Sequence, residues 1–201
     1  MKNKILIILI AILQVFFTKT VFSQDVEFNA STIEILNEKE LTIANDAEAV
    51  IKADGIRVEG SVIKYFKGKS LLTVENGKIS KIDNNLEINA NKIRYEINNS
   101  RLTLNNRIKI EDNQNNIVIN SDEIIYDIKN DKILGLDNSE ITDNLGNIYV
   151  VNEFEYSLKN KVIKLINLKV FDKEKNLFKL DLGFLDLSKK ELLAKDVSLD
   201  F

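Results

Sequence analysis

Beyond residue 24 the apolar and polar positions alternate with period two, and the alternation is interrupted at regular intervals by a slip of one residue. Leu86, Ile88 and Ala90 form one alternating trio and Ile93, Tyr95 and Ile97 the next, with the change of phase between Ala90 and Ile93. Alternation of this kind marks half-buried strands. The phrase recurs as Ile56, Val58, Gly60 then Ile63, Tyr65; as Ile117, Ile119, Ser121 then Ile124, Tyr126; as Tyr149, Val151 then Phe154, Tyr156; and as Phe178, Leu180, Leu182 then Leu185, Leu187. A one-residue slip throws the second trio onto the opposite face unless the strand bulges or bends there. Both trios are apolar, so the pattern predicts a bend, with the two halves lining one interior.

The phrase is also periodic. Tyr65, Tyr95, Tyr126 and Tyr156 are spaced by 30, 31 and 30 residues, and the frame extends back to Ile35 and forward to Leu187. Repeats of this length are supersecondary units that cannot bury their apolar face alone and must stack on their neighbours. Six copies account for nearly everything after residue 24. A second strand follows each marker, beginning at Leu72 and Val74, Leu102 and Leu104, Ile133, and Ile163 and Leu165. Asn98-Asn99-Ser100, Lys129-Asn130-Asp131-Lys132 and Lys159-Asn160 read as the turns between them, since Asn and Asp tolerate left-handed backbone. Asn76-Gly77 is the strongest hairpin signal in the chain. The expectation is an all-β array of about twelve strands in up-and-down antiparallel order, with a parallel β-helix as the alternative.

The first 23 residues are of another kind. Lys2 and Lys4 precede an apolar run from Ile5 to Phe17, and Val21 and Ser23 fit the positions before a signal-peptidase cut. The segment reads as a secretory leader, cleaved between Ser23 and Gln24, and residues 24–201 as one exported domain. An uncleaved anchor is the alternative, although thirteen residues, broken by Gln14, fall short of the ~20 a spanning helix needs. No Cys follows the leader, which excludes lipoprotein processing.

Without the leader the chain has 25 basic and 31 acidic residues, a balance that argues against nucleic acid as a partner. It has no Cys and no His, so disulfides, His-based triads, Cys nucleophiles and the usual transition-metal ligands are missing. Ser61-Val62-Ile63-Lys64 fits a serine-lysine motif but lacks its companions and reads as a strand. Glu153 and Glu155 alternate with Phe154 and Tyr156, as a solvated strand face does. Asp112-Asn113-Gln114-Asn115-Asn116 lacks the spacing of a calcium loop and reads as a turn. The expectation is therefore no catalytic residue, no metal and no cofactor.

The repeated phrases Ile88-Asn89-Ala90-Asn91-Lys92-Ile93-Arg94-Tyr95 and Ile119-Asn120-Ser121-Asp122-Glu123-Ile124-Ile125-Tyr126 resemble the OstA-like domain of lipopolysaccharide transport, the family of LptA and of the periplasmic N-terminal domain of LptD. The resemblance covers roughly residues 28–201. The family's Gly-x-Val turn is approximated only by Asn76-Gly77-Lys78-Ile79, against Asn105-Asn106-Arg107-Ile108, Asp137-Asn138-Ser139-Glu140 and Asn167-Leu168-Lys169-Val170 elsewhere. What it implies is a β-taco, or open β-jellyroll, that carries lipid A acyl chains of lipopolysaccharide through the periplasm towards the outer membrane. Partners would be similar β-jellyroll components at the inner and outer membranes. A structural β-repeat protein with a filled core is the second expectation.

On this reading Ile63, Tyr65, Ile88, Ile93, Tyr95, Ile119, Ile124, Tyr126, Phe154 and Tyr156 line a lipid groove, because they hold fixed offsets from the marker. An open array also has two unpaired end strands, around Thr32 to Leu36 and Leu193 to Phe201. Ile33, Ile35, Val197, Leu199 and Phe201 would then form edges for head-to-tail self-association, since bare edges template strand addition.

Overall fold

The computed structural model describes residues 19–22, 26–81 and 85–200, with the side chains of 19–22, Lys39 and 196–200 left aside. Most of the predicted leader and its cleavage point therefore lie outside the described residues, as does Phe201.

The alternating segments become strands β1 (Lys19–Phe22), β2 (Glu27–Leu36), β3 (Leu41–Ile51), β4 (Ile56–Phe66), β5 (Leu71–Lys81), β6 (Leu86–Glu96) and β7 (Arg101–Asp112). They continue as β8 (Ile117–Asp127), β9 (Lys132–Gly135), β10 (Ser139–Thr142), β11 (Ile148–Ser157), β12 (Val162–Phe171), β13 (Leu177–Asp186) and β14 (Glu191–Asp200). All fourteen join one sheet in sequence order, except that β9 and β10 both bridge β8 and β11 as two halves of a broken strand. Every adjacent pair is antiparallel. The parallel β-helix is thereby excluded, and the fold is a repetitive antiparallel β-taco.

Each long strand creases at its phase slip, so the sheet folds into two facing arms around one apolar core. The first arm carries residues such as Ile56, Val58, Ile88 and Ile119, the second Ile63, Tyr65, Ile93 and Tyr126. On alternate strands the crease contains a residue with positive φ: Asp46, Asn76, Asn106, Arg107 and Asn167. Asn and Asp predominate because they visit the left-handed region at least cost. Asn76-Gly77 is one of these creases, in mid-strand β5, and not the hairpin turn its sequence suggests. A Cβ on Gly77 would come within 2.9 Å of the Glu59 carbonyl and 2.7 Å of Ile93 Cδ1, so close approach at the crease decides the glycine.

The turns at the end of the second arm stack on one another. Backbone N–H groups of Lys67, Ile97, Ile128, Leu158 and Leu187 donate to the carbonyls of Glu40, Ser70, Ser100, Asp131 and Lys161 at 2.9–3.0 Å. This ladder corrects the repeat frame at its last step. Leu187 is the equivalent of Lys67, so the marker position of Tyr65 falls on Leu185, and the last slip runs from Leu180 to Gly183. Leu182 consequently faces outward beside Ile166. The first edge also differs from expectation, because β1, a segment inside the predicted leader, covers Glu27 to Ala30 of β2. Thr32 to Leu36 remains on the outer edge of the sheet, where Ile35 is 47% exposed.

Candidate functional site

All ten predicted interior residues are buried, at 3% exposure or less, within one hydrophobic cluster. Ile88 and Ile119 stand on the first arm and the other eight on the second. At the crease the arms meet over a cross-strand ladder of small residues, Ala30, Ala47, Gly60, Gly77 and Ala90. A Cβ on Gly60 would lie 2.2 Å from Val74 Cγ1. Small side chains let the opposite arm pack down onto the fold line, and along this stretch the inward side chains are buried.

The free lips of the two arms are joined by polar latches. The Tyr95 hydroxyl, from the second arm, donates to Asp54 at the tip of the first, and Ser100 Oγ reaches the other carboxylate oxygen at 2.8 Å. Lys81 pairs with Asp131 in the same sense. Tyr156 donates to Asp112 and accepts from Asn115 Nδ2 at 2.9 Å. Burial, and then the neighbouring carboxylate, holds the Tyr95 and Tyr156 phenols above the usual tyrosine range. Tyr126 is raised as well, by burial first and the Asp131 charge second, yet its buried hydroxyl has no hydrogen-bond partner among the described residues.

Of the latch acceptors, Asp112 stood out in the sequence only as the first residue of a turn, and Asp54 did not stand out at all. A signal was present: Asp recurs at 54, 83, 112, 143 and 172, spaced by 29, 29, 31 and 29 residues. At 54, 112, 143 and 172 it is a second marker for the first-arm tips, parallel to the tyrosine marker of the second arm, while Asp83 lies outside the described residues.

Towards the C-terminal end the interior opens. A cavity of about 310 Å³ lies between Tyr149, Val170, Phe178 and Leu180 on the first arm and Leu192 and Ala194 on β14. Asp143, Asn147 and Lys190 form its polar rim. Asp143 is held in its own loop, accepting from Leu145 N, Asn147 N and the Tyr149 hydroxyl at 2.8–3.0 Å. The cavity falls at the small end of the range for ligand sites, and its apolar wall with a few polar groups at one side matches their usual make-up.

The candidate chemical groups sit where strands and turns require them. Ser61 is in β4. Glu155 on β11 pairs with Lys132 at 2.6 Å. The Asp112 carboxylate caps its turn by accepting from Gln114 N and Asn115 N, each at 3.0 Å. Among the described residues no three Asp or Glu side chains gather as metal ligands, and no helix is long and apolar enough to cross a membrane. Of the predicted assembly edges, Ile33 and Ile35 lie on β2, and Val197 and Leu199 lie on β14, the last strand of the sheet.

No family model matches the chain, and neither does any curated protein. Among solved structures the chain matches LptH from Pseudomonas aeruginosa, described as the LptA homologous periplasmic component of the conserved lipopolysaccharide transport device. The identity is 8%, the match covers 69% of this chain and 79% of that one, and the TM-score is 0.28.

Proposed function

We propose that this chain is an exported, non-enzymatic lipid carrier of the lipopolysaccharide-transport kind, which shelters acyl chains between the arms of its folded sheet. The cavity bounded by Tyr149, Val170, Phe178, Leu180, Leu192 and Ala194 carries this reading, because it is apolar and contiguous with the core. Each methylene exposed to water costs about 0.8 kcal/mol, so about a dozen cost on the order of 10 kcal/mol. An apolar slot offsets most of that cost without a nucleophile, a base or a metal. The phrase shared with OstA-like domains supports lipopolysaccharide as the cargo, and the edges at Thr32–Leu36 and on β14, unpaired among the described residues, support head-to-tail contact with copies or with similar β-folds. Such a contact is heterologous and extends in a line.

The second reading, a structural repeat with a filled core, is favoured by the latched lips and the packed stretch between Ile51 and Ile133. Photo-crosslinking separates the two. A benzophenone amino acid at Phe178 or Tyr149 should give lipopolysaccharide adducts in cells. Adducts with protein alone at both positions would leave the filled-core reading.

A further inference from the structure

We propose that the outer face of β12–β14 is a docking surface for an anionic lipid bilayer. The face follows from the register shift in the last repeat. Across the three strands one row reads Lys164, Phe184, Leu193 and the next reads Ile166, Leu182, Lys195. Four apolar side chains thus form one block with a lysine at two opposite corners, and the following row adds Lys169 and Lys179. Phe184 is 40% exposed and Leu193 is 62% exposed. The same two rows on β4–β7 hold Lys64, Thr73, Arg94 and Thr103, then Val62, Glu75, Lys92 and Asn105. Single exposed apolar residues are ordinary, but a contiguous block with lysines at two corners and along one side is a contact surface.

Charge selects the occupant. Residues 24–158 contain 15 basic and 24 acidic residues, whereas 159–201 contain ten lysines and seven acids. The positive end of the array therefore carries the apolar block, with Asp181 and Asp186 on the same face of β13 and Glu191 beside Asp186 on β14 as its carboxylates. Asp186 is already engaged by the amides of Ser188 and Lys189 at 3.0 and 3.1 Å. Lysine stems lie along apolar surface while their heads reach outward, which suits the boundary between acyl chains and anionic head groups. A second copy is the poorer occupant, because the matching rows of β4–β6 present three cations, Lys64, Arg94 and Lys92, against the one carboxylate of Glu75 and would repel. The surface lies on the outside of the fold next to the open cavity and leaves the edge of β14 free.

The test is flotation of the full chain with vesicles of phosphatidylcholine alone or mixed with phosphatidylglycerol. Binding should need phosphatidylglycerol and weaken with salt. Lys164→Gln with Lys195→Gln should lower the partition coefficient by about thirtyfold, at about 1 kcal/mol per lysine. Phe184→Ser with Leu193→Ser should lower it by about tenfold or more, given the apolar area withdrawn from the interface. Equal binding to both vesicles, no binding by the unaltered chain, or unchanged binding of either variant would each overturn the proposal. So would a dimer that Phe184→Ser dissociates. Lipid carriage does not depend on this face, so the crosslinking above can succeed where flotation fails.

Discussion

Two tyrosines at the same point of successive repeats should respond oppositely to loss of one oxygen. The Tyr156 hydroxyl is buried, donates to Asp112 and accepts from Asn115. Tyr156→Phe removes that bond but leaves Asp112 three donors, the amides of Gln114 and Asn115 and Asn115 Nδ2 at 2.7 Å. The carboxylate is therefore not orphaned, and the cost is that of one hydrogen bond to a charged group, about 2 kcal/mol. The Tyr126 hydroxyl is equally buried and has no such bond among the described residues. Tyr126→Phe removes a desolvated polar atom and should be neutral or stabilising by up to about 1 kcal/mol. In urea, at an m-value of about 2 kcal/mol/M, the two midpoints should separate by about 1 M with slopes unchanged. Equal midpoints, or a loss at Tyr126 as large as that at Tyr156, would refute the latch account of the lips.

Three further outcomes follow from the same geometry. Gly77→Ala, which sets a Cβ 2.9 Å from the Glu59 backbone carbonyl, should cost about 1–3 kcal/mol by overpacking, read as a lowered urea midpoint. Tyr95, Tyr126, Tyr149 and Tyr156 all have phenols raised by burial above their unfolded value. Their stabilisation is complete below pH ~10 and declines as pH rises from there, by up to about 5 kcal/mol per pH unit for the four together. Thermal melts from neutral to strongly alkaline pH should therefore be flat and then fall steeply, and a decline beginning near neutrality would contradict this. Leu192→Glu, on the cavity wall and only partly buried, should abolish lipid adducts at Phe178 while the chain stays folded by circular dichroism.

Much of the architecture is legible in the sequence because one rule, alternation with a slip, is repeated often enough to outweigh local ambiguity. The ten interior residues follow from it directly. The failures come where one short motif has two physical uses. Asn-Gly serves a hairpin and a crease equally well, because both need a left-handed residue beside one without a side chain. Leu187 fits the aromatic frame by spacing, but the run of leucines at 180, 182, 185 and 187 accepts either phase, and only the turn ladder chooses Leu185. The latches are invisible to hydropathy because they join polar residues about 40 positions apart, Asp54 with Tyr95 and Asp112 with Tyr156.

The latches also explain why the interior opens where it does. Each tyrosine latch pairs a first-arm aspartate with the marker tyrosine 41 to 44 residues later. Continued from Asp143, that offset reaches Leu185, which has no hydroxyl to donate. Asp143 accepts instead from its own loop and from Tyr149, and Asp172 from Asn176 at 2.7–2.8 Å. Among the described residues the lips at this end consequently lack the bond that closes them further along, and the cavity rimmed by Asp143 and Lys190 lies there. Leu185→Tyr should restore the missing donor. The closed form gains up to about 1–2 kcal/mol from the new hydrogen bond, so the urea midpoint should hold or rise although a larger ring enters a buried position. Lipid adducts at Phe178 should fall in proportion. If the variant is folded and still takes up lipid as the unaltered chain does, the absence of a latch is not what opens the cavity, and the gap must be set by the backbone of β13 and β14 alone.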